Sequence, residues 1–280
     1  MTTDTLATPQ RAAFDPYAPA PHTSAVRFLY RMNPLAKLAG PLPAMVLLVF
    51  VRDLATPIAF LVLAYALLLV GARTTARTAA LLFLGIPIAV VVLGFSLSLW
   101  TDAARVDHSV VVLQLGDWAL YGEALAVGYA TALRLAAILS LSLIPGLTTT
   151  GPDLVRALIQ QLRVPYRIGY TAMAAFRFVP RFRHELDVIR AAHRVRGAHG
   201  GHGPFTAIAR GFGYVVPLLA GAIRHAERVA LAMDARAFGA YPTRTERYPV
   251  PFRTRDAVFI AAFWVASAAL FALGFPWLPA

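Results

Sequence analysis

Hydrophobic positions along the chain fall into long unbroken runs, not alternating stripes. Four runs reach or approach the ~20 residues that cross a bilayer as a helix: 54–70, 79–99, 124–147 and 257–275. A fifth, 38–51, is short and holds Pro41 and Pro43, so it must borrow residues on either side. Arg52-Asp53 then forms a tight tip into the next run. The runs are rich in Leu, Val and Ala and lack the ~10-residue alternation of barrel strands. In lipid every backbone donor and acceptor must pair within its own segment or a closed barrel, so helices are expected. The pattern predicts an all-α polytopic membrane protein of about five transmembrane helices.

Two stretches break this pattern. Residues 1–25 are rich in Thr, Ala and Pro, with no apolar run, and read as a mobile cytosolic tail and not a secretory signal. Residues 148–256, between the helices of 26–147 and the last span with its tail at 257–280, are polar and amphipathic. Thr148-Thr149-Thr150-Gly151-Pro152-Asp153 has the capping Thr, early Pro and early Asp of a helix start. Leu154, Leu158 and Leu162 follow at spacing four, and this short helix ends near Arg163-Val164-Pro165.

Two longer helices are expected next. In the first, Val179, Phe182, Leu186 and Ile189 lie at intervals of 3, 4 and 3, continuing to His193 and Arg196 in a run from Arg181. In the second, Val216, Leu219, Ile223, Ala226, Ala230 and Met233 repeat as a heptad seam. Each carries an early proline, Pro180 or Pro217, expected to mark a kink or an entry point. Residues 197–204 between them are Gly-rich and read as a flexible linker. The expected insert is a short helix followed by two long crossing helices.

Composition sharpens this division. The chain is 58% apolar and 14% charged, yet its net charge is +12. Residues 151–256 hold 17 of the 26 Lys and Arg but only 7 of the 14 Asp and Glu. The apolar bulk excludes a disordered chain, and zero Cys excludes a disulfide scaffold, a Cys-ligated metal and a thiol nucleophile. Basic residues flank the spans at Arg27, Arg31 and Lys37, at Arg73 and Arg77, and throughout the insert. The loop 100–123 instead carries Asp102, Asp107, Asp117 and Glu123 against Arg105. The positive-inside rule then puts the N-terminus and the insert on the cytoplasmic face of the cell membrane, with the C-terminus outside. Arginines 156, 163 and 167 favour anionic lipid at that face.

Three features carry candidate chemistry. Arg134 lies in the middle of the fourth run, where an arginine costs about 2.5–3.5 kcal/mol on the insertion scale. It serves either a pathway or partner contact, or it faces the bundle interior and bonds backbone carbonyls. The second feature is the pair of long helices ending in arginines, at Val195-Arg196-Gly197 and Ala235-Arg236-Ala237. A guanidinium is a permanent charge with five donors in a fixed fork. At the tip of a stiff rod it is suited to a carboxylate in a partner's groove, the alternative being service to its own helix dipole. Matched ends on two helices favour docking. The third is His199-x-x-His202, in a Gly loop without neighbouring acids, which makes a poor metal site.

These residues carry a family resemblance. Leu154-Val155-Arg156-Ala157-Leu158, Val164-Pro165, Phe176-Arg177-Phe178-Val179-Pro180 and the run to Val195-Arg196-Gly197 resemble the transmembrane T component of energy-coupling factor (ECF) transporters for vitamins and metals. Asn33-Pro34-Leu35-Ala36-Lys37-Leu38 resembles that family's Pro-x-x-Lys-Leu lead-in, and the likeness covers most of 27–275. The resemblance implies a subunit that is no enzyme and holds no cofactor or metal. It implies bridging of two ABC-type ATPase subunits and a small membrane substrate-binding protein, for micronutrient uptake. It also implies that the family's two Ala-Arg-Gly signatures, here Val195-Arg196-Gly197 and Ala235-Arg236-Ala237, meet the ATPases. The apolar stripes become either a helix–helix seam or a contact for the substrate-binding subunit. Ala237 stands where the family has Gly and Val195 where it has Ala; since Ala favours helix over Gly, the second helix is expected to extend to Gly239.

No Gly-x-x-x-x-Gly-Lys-Ser/Thr phosphate loop is present in the sequence. A secondary transporter or another polytopic permease is the alternative, but repeated halves are lacking and Arg134 is the one ionisable midplane candidate. A nucleic-acid binder is not required, because lipid headgroups and acidic ATPase grooves account for the basic insert.

Overall fold

The computed structural model describes residues 27–101, 111–115, 118–196, 204–242 and 245–274. In chain order the helices are α1 (Pro34–Ala39), α2 (Pro41–Leu48), α3 (Ala55–Gly71), α4 (Ala76–Ala80), α5 (Ile86–Leu99), α6 (Gly122–Thr148), α7 (Gly151–Gln161), α8 (Tyr166–Val195), α9 (Pro204–Asp234) and α10 (Thr254–Gly274). Strands β1 (Val111–Leu115) and β2 (Trp118–Tyr121) precede α6. The described chain is overwhelmingly helical, as an all-α polytopic membrane protein should be. It divides into two compact units, one built around residues up to 150 together with 250 onward, and one of residues 151–249.

In the first unit, Asn33 caps α1 by accepting the Leu35 N–H at 2.9 Å, with Pro34 at the first helical position. The run expected at 38–51 is broken at Gly40 into α1 and α2, the latter starting at Pro41. Asp53 starts α3 by accepting the Thr56 N–H at 2.8 Å. Thr75 and Thr78 form a reciprocal cap at the start of α4. Between α4 and α5 the backbone widens into a π-helical turn, Leu81–Gly85, just before Pro87. Proline cannot donate into the helix ladder, and such a turn is one way a helix absorbs it. The Tyr65 hydroxyl bonds the Leu82 carbonyl of this turn.

By length and composition, Ala76–Leu99, Gly122–Thr148 and Thr254–Gly274 can each cross a membrane. Pro34–Leu48 and Ala55–Gly71 are apolar but shorter. The outer faces of these helices are also apolar, with Val62, Leu84, Val91, Val92 and Val265 exposed, the all-round hydrophobicity of lipid-facing helices. The helix α6 is central. Its small residues Gly128, Ala132, Ala136, Ala137 and Ser140 are buried, and it packs on α2, α3 and α5. A Cβ on Gly128 would sit 2.6 Å from the Gly94 carbonyl oxygen and from the Ser98 nitrogen of α5, so the two backbones touch because a side chain is missing. Leu29, Leu48, Phe60, Leu68, Leu141 and Ile144 fill the core beside it.

One local expectation fails here, and one element was not expected. Thr148 does not open the insert; it is the last residue of α6, and its hydroxyl bonds back to the Ile144 carbonyl at 2.6 Å. The loop 100–123 contains an antiparallel hairpin, with Gln114 opposite Ala119 and Leu115 opposite Trp118. Its sequence signal is the β-branched run Val110-Val111-Val112 followed by the dipeptide Gly116-Asp117. Asp102, Arg105, Asp107 and Asp117, the tail 1–25 and residues 275–280 lie outside the described residues.

In the second unit, α7 and α8 form an antiparallel pair. Gly169 lies against Ile159 and Val155, and Gly151 against Phe176. Arg163 makes the turn between them with φ +53°, and Leu162 is exposed beyond the helix end. Helix α8 is far longer than the expected Arg181–Arg196 rod. It starts at Tyr166 and passes through Pro180 without ending, at 30 residues. Likewise α9 runs 31 residues through Pro217. At 1.5 Å per residue each is about 45 Å long.

Candidate functional site

The site is built on α8 and α9. His193 meets Tyr214 edge-on, with ring centroids 5.2 Å apart, and Phe178 stacks on His225 at 5.1 Å. Between these levels, Gly221 lies beside Glu185. Rising residue numbers on one helix pair with falling numbers on the other, so the two rods are antiparallel.

On α8, the expected stripe is close to the packed face: Phe182, Leu186 and Ile189 are half-buried, while Val179 is exposed. On α9 the expected heptad is not the seam. Tyr214, Leu218, Gly221 and His225, at spacings 4, 3 and 4, make up the half-buried face toward α8. The more apolar stripe lies about 180° around the helix at 100° per residue. There Phe212 is 72% exposed, Val216 73%, Leu219 58% and Ile223 52%, with Ala226 and Ala230 also exposed and Met233 half-buried at its edge. The physical reason is that α9 carries two heptads. Ring stacking and the missing side chain at Gly221 select the polar-aromatic one, leaving the oilier one open.

Both arginines lie within two residues of the end of a long helix. Arg196 is the C-cap of α8, its backbone N–H bonding the Ala192 carbonyl at 3.1 Å. Arg236 is the C-cap of α9, which ends at Asp234 and does not extend to Gly239. The Phe238 N–H bonds the Met233 carbonyl at 3.0 Å and the Ala237 N–H bonds the Asp234 carbonyl at 2.9 Å. This is a Schellman termination, and Ala237 holds its left-handed position at φ +54°. Helix propensity at Ala237 therefore loses to the closure of this turn. Arg196 and Arg236 are exposed, and among the described residues neither guanidinium has a hydrogen-bond or ion-pair partner. Val195 is 89% exposed, Ala235 and Ala237 are exposed, and Gly197, His199 and His202 lie outside the described residues. Because the helices are antiparallel, the two arginines stand at opposite ends of the pair, roughly 40 Å apart along it by helix rise.

The chain after Arg236 folds back over α7 and α8. Phe238 packs edge-on to Tyr166 and Tyr170. The Arg167 guanidinium bonds the Gly239 carbonyl at 2.6 Å, the Tyr170 hydroxyl donates to Glu246 at 2.9 Å, and Gln160 donates to the Tyr248 carbonyl at 3.0 Å. Arg156, paired with Asp153 at 2.8 Å, covers the Tyr248 ring. A groove of about 790 Å³ opens between this strap and the helices, with Arg236 on its wall beside Met173, Arg177 and Val229. The strap was missed because its residues, spread over 238–248, have no period to read. Tyr241 and Tyr248 flanking Arg244 and Arg247 are its one trace in the sequence.

Arg134 is in the membrane-type unit. Its guanidinium bonds the Val49 carbonyl at 2.7 Å and the Thr131 hydroxyl at 3.1 Å. Val49 is the C-cap of α2, so the arginine satisfies a carbonyl that a helix end leaves open.

Comparison with known proteins agrees with this architecture. The family model described as CbiQ, cobalt transport protein, matches residues 25–247. The chain is 25% identical to the energy-coupling factor transporter transmembrane protein EcfT of Bacillus selenitireducens, across 87% of this chain and 92% of that one. To the protein of the same name from Thermotoga maritima it is 30% identical, over 48% of this chain and 53% of the other. A putative ABC transporter ATP-binding protein of Bifidobacterium longum is 29% identical over 58% of this chain and 22% of its own length. The family match takes in the apolar helices up to α6, both long rods and both terminal arginines, and the chain belongs to the CbiQ family, which holds the transmembrane components of energy-coupling factor transporters.

Proposed function

We propose that this chain is the coupling subunit of an ECF-type importer. Two ABC-type ATPase subunits grip the helix ends Val195-Arg196-Gly197 and Ala235-Arg236-Ala237, one at each end of the α8–α9 pair. A small membrane substrate-binding protein rests on the apolar face of α9, around Val216, Leu219 and Ile223, with Met233 at its edge. Closure of the ATPases on ATP moves the rods, and the rods reorient the substrate-binding protein. The cargo is a micronutrient, a vitamin or a metal ion, chosen by that protein. The N-terminus and the α7–α9 unit face the cytoplasm, and five helices span the cell membrane.

One observation carries this reading: two exposed arginines with no partner among the described residues, each at the C-terminal end of a ~45 Å helix. A guanidinium serving its own helix end would fold back on the last carbonyls, and neither does. Their spacing suits two partner sites of one kind. The likeness of a segment of a protein named as ATP-binding supports the choice of an ATPase partner. Four of the groove-lining residues beside Arg236 are arginines, counting Arg236 itself, and an acidic partner groove would complement them.

The test is charge reversal. Arg196→Glu and Arg236→Glu change exposed residues, so both chains should insert normally. Each should lose co-purification of one ATPase subunit and lower uptake by about tenfold or more. Full uptake with intact ATPase capture in both variants would refute the proposal.

A further inference from the structure

Residues 151–249 leave the membrane-type unit after Thr150 and return at Val250. Both crossing points are held by one short helix, α1. On the outgoing side, Lys37 is 2% exposed, and its Nζ donates to the Thr148 carbonyl oxygen at 2.7 Å. Thr148 ends α6, so this is one of the carbonyls a helix terminus leaves without an intrahelical partner. A cation there also matches the negative end of the helix dipole.

On the returning side, Asp256 is fully buried in the first turn of α10. Its Oδ1 accepts the Asn33 N–H at 2.9 Å and its Oδ2 accepts the Arg253 N–H at 2.8 Å. The Asn33 amide donates to the Pro251 carbonyl at 3.4 Å, and the Arg255 guanidinium bonds the Arg31 carbonyl. Asn33 and Lys37 are one helical turn apart. One turn of α1 thus grips the last residue of α6 with one end and the lead into α10 with the other.

A buried ammonium or carboxylate is costly, and an apolar side chain of similar size would pack α1 more cheaply. What an apolar side chain cannot do is fix a backbone atom in place. The chain on either side of the crossings, residues 149–150 and 250–253, is not helical, so without these bonds it would act as slack. We propose that Asn33, Lys37 and Asp256 form a clamp that holds both connections rigid, so that movement of the α7–α9 unit reaches α6 and α10. Lys37 and Asp256 are positioning residues, buried inside the membrane-type unit. The inference rests on the coupling reading above.

The test uses the purified complex with its ATPase subunits in lipid nanodiscs, with a non-hydrolysable ATP analogue as the probe. The chain has no cysteine, so one spin label is introduced through Val188→Cys on α8 and, in a separate preparation, one through Val258→Cys on α10. Both sites are exposed. In the parent complex both labels should respond to the analogue. With Lys37→Met the α8 response should persist, while the α10 response falls about tenfold. Asp256→Asn should act likewise, because one of its two acceptor atoms becomes a donor.

Loss of both responses together would mean a purely structural role and would overturn the clamp, as would an unchanged α10 response. Failure of both variants to reach the membrane would overturn it too, since the contacts would then serve folding alone. A parent complex that captures no ATPase and answers at neither label would instead sink the coupling reading, so the two failures are distinguishable.

Discussion

The two units spend their apolar residues in opposite ways. In the membrane-type unit, helices press together through absent side chains, as at Gly94 and Gly128, and buried positions run the length of α6. In the α7–α9 unit, the buried residues among those described are Pro152, Ala157, Gly169 and Met173, all in α7 or the first half of α8. Among the residues of α9 whose side chains are described, 211–234, none is buried, and their most apolar face is open. The first unit is shaped to be complete in lipid. The second leaves its apolar face open, and an exposed apolar stripe of this length marks an interaction surface.

The largest expected difference is the response to added volume. Gly128→Leu drives a side chain into the backbone of α5, with no flexible neighbour to give way. It should cost about 3 kcal/mol, read as a lower melting temperature of the detergent-solubilised chain. Ala226→Leu adds one carbon fewer, to the open face of α9, and should stay within about 0.5 kcal/mol. Equal losses would erase the contrast between the units.

Next is assembly. Leu219→Asp combined with Ile223→Asp should leave the melting temperature of the isolated chain unchanged. Co-purification of the small membrane partner should fall about tenfold. Intact co-purification would show that this stripe serves something else.

Two smaller effects sharpen the picture. Arg134→Leu removes the donor to the Val49 carbonyl and should destabilise the membrane-type unit by about 1 kcal/mol. Uptake normalised to the amount of folded chain should be unchanged. A loss of uptake beyond the loss of protein would return Arg134 to the transport pathway. Ala237→Gly frees a left-handed position of its Cβ and should stabilise the end of α9 by up to about 1 kcal/mol. The readout is slower hydrogen exchange at the Phe238 amide, which closes the turn. Faster exchange would mean that the turn does not depend on that conformation.

The apolar runs and the two arginine-tipped helices were legible because both rest on periodicity and on length. The family likeness could be read from motifs local to α7, α8 and the end of α9. What escaped the sequence was a matter of competition between equal periods and of distance along the chain. Helix α9 offers two heptads, and hydrophobicity alone pointed to the one that stays open. The clamp joins Asn33 to Asp256 across 223 positions, and no local pattern announces such a pair. The end of α9 was not legible for a different reason: two hydrogen bonds close the turn and outweigh the helix propensity of Ala237.

The central claim is that Arg196 and Arg236 dock two separate ATPase subunits. The absence of cysteine in the chain permits one direct measurement of it. Val195→Cys and Ala235→Cys, exposed positions beside arginines that stay in place, are oxidised singly and together against ATPase subunits carrying one cysteine in the groove proposed to receive the helix end. Each single variant should yield a one-to-one adduct, and the double variant should yield a chain bearing two ATPase subunits. Adducts no more abundant than those from Val188→Cys, an exposed position away from both helix ends, would contradict the account.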